Sequence, residues 1–158
     1  MVEIEREAAA VYLLDDDASI LNATRRLLES AGWNNVETFT DPIAFLEHAE
    51  MHRPHLAVID VLMPDINGLE VQKRLGRVSP STRVIVLTGD DDASIRRSAM
   101  NAGACGFFIK GMQSGDFLAG LEAAADPSTT FHGRRTIAPE DRALENAVAS
   151  GYRSRAHG

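Results

Sequence analysis

Five short apolar runs punctuate the chain: AVYLL (10–14), VETF (36–39), LAVI (56–59), RVIVL (83–87) and CGFFI (105–109). Their length and their branched or aromatic content predict strands, several of them buried on both faces. The stretches between them change period. Ile20, Leu21, Thr24, Leu27, Leu28 and Ala31 recur at helical spacing, and Gly32 is a stop. Asp41-Pro42 reads as a cap followed by proline at the first helical position, opening a helix that runs to about His52. Residues 68–75, 93–102 and 114–125 carry three more helical patterns. Strands alternating with helices predict an α/β fold, a doubly wound parallel five-stranded sheet with helices on both faces. Five βα units fit between residues 8 and 125.

In open α/β sheets ligands bind beyond the carboxyl ends of the strands. The residues that end each run are therefore the first place to look for chemistry. Asp15-Asp16 ends the first run, Asp60 the third, Thr88-Gly89 the fourth and Lys110 the fifth, while the second ends in an undistinguished Thr40. The hexapeptide DDDASI occurs twice, from Asp15 and from Asp90. In both copies the third Asp (Asp17, Asp92) precedes a helical stretch and can cap its free N–H groups. Only in the first copy do the leading acids follow a strand directly. In the second, Thr88-Gly89 takes the strand end and pushes Asp90 and Asp91 into the loop.

One edge of the sheet thus collects three carboxylates against one ammonium. Two like charges about 4 Å apart repel by roughly 4 kcal/mol at an effective dielectric near 20. Lys110 alone does not offset three. A divalent cation does, and an all-oxygen site that retains water suits Mg²⁺ or Mn²⁺. Metal, carboxylate, hydroxyl and lysine together match the needs of phosphoryl transfer, in which a carboxylate can be the nucleophile.

Composition narrows the class further. The chain has 158 residues with a net charge of −7, and only two of its sixteen basic residues are lysines. An acidic surface argues against direct nucleic-acid binding through phosphates. No apolar run approaches a membrane span. The opening MVEIEREAAA lacks the basic start and apolar stretch of a secretion signal, and the single Cys105 fits a reducing compartment. The expectation is a cytoplasmic protein with no membrane partner.

The pieces VYLLDDD, VIDVLMPDINGLE, VIVLTG and GACGFFIK stand in the order and spacing that resembles the receiver domain of two-component response regulators, the CheY-like superfamily. The resemblance covers residues 8–125. It implies a flavodoxin-like (βα)5 fold with strand order 2-1-3-4-5. It implies a signalling domain rather than an enzyme, phosphorylated on aspartate by a sensor histidine kinase or a phosphotransfer protein. By position Asp60 is the phosphoacceptor. Asp16, Asp60 and the backbone carbonyl of Leu62 bind Mg²⁺, with Asp15 acting mainly through water. Thr88 and Lys110 contact the phosphoryl group. Thr88 and Phe107 are the switch pair, with Phe107 turning inward on phosphorylation. The face 93–125 would change and engage an output protein or a second copy of the chain.

Departures and decoys refine this reading. Receivers usually carry Lys-Pro where this chain has Lys110-Gly111, so a trans peptide bond is expected there. The absent Pro resembles the subgroup related to the nitrate regulators. The resemblance implies that attacking water passes near Leu62 and Asp90, and the apolar Leu62 predicts slow dephosphorylation. Met63-Pro64 and Gly68 read as turn chemistry rather than contacts: Pro fixes φ, and Gly permits positive φ. His48 and His52 are four apart but lack the Glu of H-E-x-x-H and any evident third ligand. A Mg²⁺-dependent aspartyl-phosphate phosphatase would need D-x-D, and the residue two beyond Asp60 is Leu62.

Residues 126–158 differ in composition. They hold five arginines and four acidic residues, against 11 basic and 19 acidic in residues 1–125. Pro139-Glu140-Asp141 predicts the start of a short helix over 139–150. The expectation is a C-terminal extension, or a receiver cut from a longer DNA-binding regulator.

Overall fold

The computed structural model describes residues 8–64 and 66–126. The five apolar runs are strands: β1 (Ala10–Leu14), β2 (Asn35–Phe39), β3 (Leu56–Ile59), β4 (Arg83–Thr88) and β5 (Gly106–Ile109). Five helices alternate with them: α1 (Ala18–Ser30), α2 (Pro42–His52), α3 (Gly68–Val78), α4 (Ala93–Asn101) and α5 (Ser114–Ala125). The strands pair in parallel in the order β2-β1-β3-β4-β5. This is the doubly wound, flavodoxin-like sheet that the alternation and the resemblance predict. Helix α3 continues three residues past the expected Leu75 and takes Gly76 into its interior, since packing outweighs one glycine's propensity cost.

Alternation along each strand divides the core in two. Val11, Leu13, Leu56, Val58 and Ile85 face α1 and α5, meeting Leu21, Leu28, Phe117 and Leu121. Tyr12, Leu14, Ala57, Ile59, Val84 and Val86 face the other way, meeting Phe45 of α2, Val71 and Leu75 of α3 and Ala99 of α4. Each Leu or Phe fully buried in this way contributes about 1.5–3 kcal/mol. β3 is buried along its whole length, whereas the edge strand β2 is half-exposed.

In both DDDASI copies the third Asp is the helix cap. Asp17 accepts from the backbone N–H groups of Ser19 and Ile20, and Asp92 from those of Ser94 and Ile95. The Ser19 hydroxyl also donates to Asp17, and these bonds together hold its carboxyl below the ordinary value of 3.8. A depressed carboxyl contributes stability above its ordinary pKa and loses it as pH falls through the lowered value. Asp17→Ala is therefore expected to lower the thermal midpoint at neutral pH, with the difference from wild type closing in strong acid. Thermal melts of both proteins across that range check it. The helix expected at 139–150 lies outside the described residues.

Candidate functional site

Register builds the site. β1 and β3 pair with Leu14 beside Ile59, so the next residues, Asp15 and Asp60, emerge side by side at the sheet edge. The Asp60 N–H donates to the Leu14 carbonyl at 3.0 Å, which fixes the two chains at that point. β4 and β5 pair with Thr88 beside Ile109, and the Lys110 N–H donates to the Thr88 carbonyl at 2.7 Å. The ammonium is thereby delivered to the edge where the carboxylates stand.

Lys110 bridges the two buried acids. Its Nζ lies 2.7 Å from Asp15 Oδ2 and 3.1 Å from Asp60 Oδ2. Burial pulls the ammonium pKa down, but the hydrogen bonds and charges of Asp15 and Asp60 outweigh it and hold it above its ordinary value. The other oxygens are held by backbone: Asp15 Oδ1 accepts from the Asp17 N–H at 2.9 Å, and Asp60 Oδ1 from the Leu62 N–H at 3.0 Å. Asp16 is exposed at the rim. One carboxylate oxygen from each of Asp15, Asp16 and Asp60 lies within 4.8 Å of the other two. A single cation can therefore touch all three, and an all-carboxylate donor set suits a hard divalent ion. Among the described residues no other group of three or more His, Cys, Asp or Glu side chains converges in this way.

Thr88 is fully buried, and its Oγ1 accepts from the Asp90 N–H at 3.4 Å. Phe107 is only 8% exposed and packs in the core shared with α2, α3 and α4. The exposed Arg96 of α4 lies over its ring, 5.7 Å from the centroid. Leu62 is 46% exposed beside Asp60. His48 and His52 stack with centroids 6.0 Å apart on the outside of α2, with no third ligand among the described residues.

Two glycines carry constraints that the sequence reading did not assign. Gly68, expected to serve a turn rather than a contact, does not use the positive φ open to glycine. It is needed for close approach instead: a Cβ there would lie 2.2 Å from the Asp60 carbonyl oxygen and 2.4 Å from Val61 Cα. Gly111, by contrast, has φ 91°. Proline, locked near −65°, does not fit that conformation. There is no cis peptide bond among the described residues, and the Lys110–Gly111 bond is trans as expected. A buried polar side chain, Gln72, also escaped the sequence reading, because periodicity alone places it merely on a helix face.

Comparison with known sequences decides the family. The response regulator receiver domain matches residues 11–122. The chain belongs to that family. Among curated relatives, this receiver is 32% identical over 154 residues to the tetrathionate response regulatory protein TtrR of Salmonella typhimurium, covering 93% of this chain and 74% of that one. It is 32% identical over 117 residues to the response regulator TodT of Pseudomonas putida, covering 74% of this chain and 51% of that one. Among solved structures, a CheY-like receiver domain protein from Methanospirillum hungatei superposes with a TM-score of 0.67 at 27% identity, over 72% of this chain and 90% of that one. The chemotaxis protein CheY4 of Vibrio cholerae does so with a TM-score of 0.67 at 27% identity, over 73% and 98%. The chain therefore spans three-quarters of TtrR but about half of TodT. No helix among the described residues is long and apolar enough to cross a membrane.

Proposed function

We propose that this receiver accepts a phosphoryl group on Asp60 from the phosphohistidine of a sensor kinase or phosphotransfer protein. The observation that carries this is the Asp60 carboxylate itself, 3% exposed at a strand end, tied to Lys110 and set against Asp15 and Asp16. In the transfer a carboxylate oxygen of Asp60 bonds to phosphorus, the P–N bond breaks, and its electron pair returns to the imidazole. A bound Mg²⁺ or Mn²⁺, held by Asp15, Asp16, Asp60 and the Leu62 carbonyl, would neutralise the phosphoryl oxygens. Lys110, already on Asp60, follows the charge as it moves onto the new group. The Thr88 hydroxyl, buried at the neighbouring strand end, supplies a donor.

The receiver unit spans residues 8–125, and 126–158 extend it. It works as a cytoplasmic switch without turnover of a substrate. Its output runs through the 93–125 face, to a partner protein or a second copy. A second reading, in which the chain is the receiver part of a longer DNA-binding regulator, is favoured by two comparisons: the chain covers 51% of TodT and 55% of the transcriptional regulatory protein FixJ of Bradyrhizobium diazoefficiens.

Incubation with acetyl phosphate and Mg²⁺ is expected to add one phosphoryl group by intact mass, and chelation to prevent it. No mass gain with Mg²⁺ from either acetyl phosphate or a phosphorylated kinase would overturn the reading. Leu62, half-exposed and apolar beside Asp60, gives attacking water no hydrogen bond. Leu62→Asn is expected to speed loss of the phosphoryl group by up to about a hundredfold, the low end of what one positioned polar group contributes to proton transfer. An unchanged decay rate would refute that role.

A further inference from the structure

Helix α4 is held by little: of its side chains only Ala99 is buried. The Ala99 carbonyl accepts two hydrogen bonds. One comes from the Ala104 N–H at 3.1 Å and closes the end of the helix. The other comes from Nε2 of Gln72 on α3, at 2.9 Å. Gln72 is 2% exposed, and its Oε1 has no hydrogen-bond partner among the described residues. A buried amide oxygen left unmet is costly, and an apolar side chain of similar size would avoid that cost. The fold thus keeps a donor at the one residue of α4 whose side chain is buried, at the expense of stability.

The other end of the connection is the phosphorylation site. Gly68 lies one helical turn before Gln72, on the same face of α3. Its N–H donates to the Val61 carbonyl at 3.2 Å, and its Cα is in close contact with the Asp60 backbone. One face of α3 therefore touches the candidate phosphoacceptor at one turn and the output helix at the next. Phe107 and Arg96 form a separate contact to α4 from β5.

We infer that Gln72 is a positioning residue for α4: its amide clamps the helix in the position seen here and opposes the shift that follows phosphorylation of Asp60. This rests on the function proposed above. Gln72→Leu removes the donor while keeping the bulk. It should tighten binding of the phosphoryl mimic beryllofluoride, with Mg²⁺ present, by roughly 3- to 10-fold, the range one net hydrogen bond supports. Without ligand, hydrogen exchange of the α4 amides should quicken while that of α1 is unchanged. A role in packing alone would alter the melting midpoint and neither of these. Gln72→Met provides the same test if the Leu variant does not fold. Equal or weaker beryllofluoride binding by a folded variant, with wild type binding normally, would overturn the clamp and leave the phosphoacceptor reading intact. If wild type itself does not bind, that reading fails, and the exchange of α4 still decides the clamp: unchanged rates would overturn it.

Discussion

Asp60→Asn is expected to reduce phosphoryl incorporation to background with every donor, because a carboxamide is not a nucleophile under these conditions. The same substitution should act on stability in the opposite sense. Asp15 and Asp60 are both buried, and they share one lysine. Asp15, Asp16 and Asp60 bring oxygens within 4.8 Å of one another, where like charges repel by roughly 4 kcal/mol at an effective dielectric near 20. Removing one charge relieves much of that repulsion. Without divalent cation, Asp60→Asn should therefore melt above wild type, while Mg²⁺ should raise the wild-type midpoint more than that of the variant. Intact mass after acetyl phosphate treatment reads the first effect and thermal melts with and without Mg²⁺ the second. Wild-type incorporation by Asp60→Asn would remove Asp60 from the role.

Gly68→Ala is expected to cost about 3 kcal/mol or more, at the upper end of what overpacking usually does. The added methyl would meet the Asp60 carbonyl oxygen at 2.2 Å and Val61 Cα at 2.4 Å. Both are backbone atoms of the segment leaving β3, and a side-chain rotation cannot relieve the contact. Either α3 shifts or the Asp60 backbone does. Phosphorylation should therefore slow as well, since Asp60 loses its alignment with Asp15 and Lys110. Gly76 is the internal control. It lies in the same helix, and a methyl added there would meet nothing within 4 Å, so Gly76→Ala should stabilise by about 0.5–1 kcal/mol through helix propensity. Urea denaturation of the two variants should show shifts of opposite sign. Similar shifts in both would mean that close approach at Gly68 is not what requires glycine there.

Strand and helix alternation, and the residues at the strand ends, were written in the chain itself. Apolar runs of four or five residues cannot satisfy a water-facing helix, and DDDASI places a cap wherever it precedes a helical pattern. That was enough to bring Asp15, Asp16, Asp60, Thr88 and Lys110 to one edge of a parallel sheet. Contacts that depend on two distant segments meeting were not written there. Gly68 looked like a turn glycine, because sequence shows only that a Cβ is missing and not what would fill its place. Only the packing of α3 against the end of β3 revealed the backbone it must clear. Gln72 looked like any polar residue on a helix face until α4 closed over it, 27 residues away in the chain. Phe107 was legible as a strand aromatic, but its inward burial beneath Arg96 depends on where α4 comes to rest. Periodicity is local and fixes which face a residue is on; what that face meets is decided by which elements the sheet order brings together.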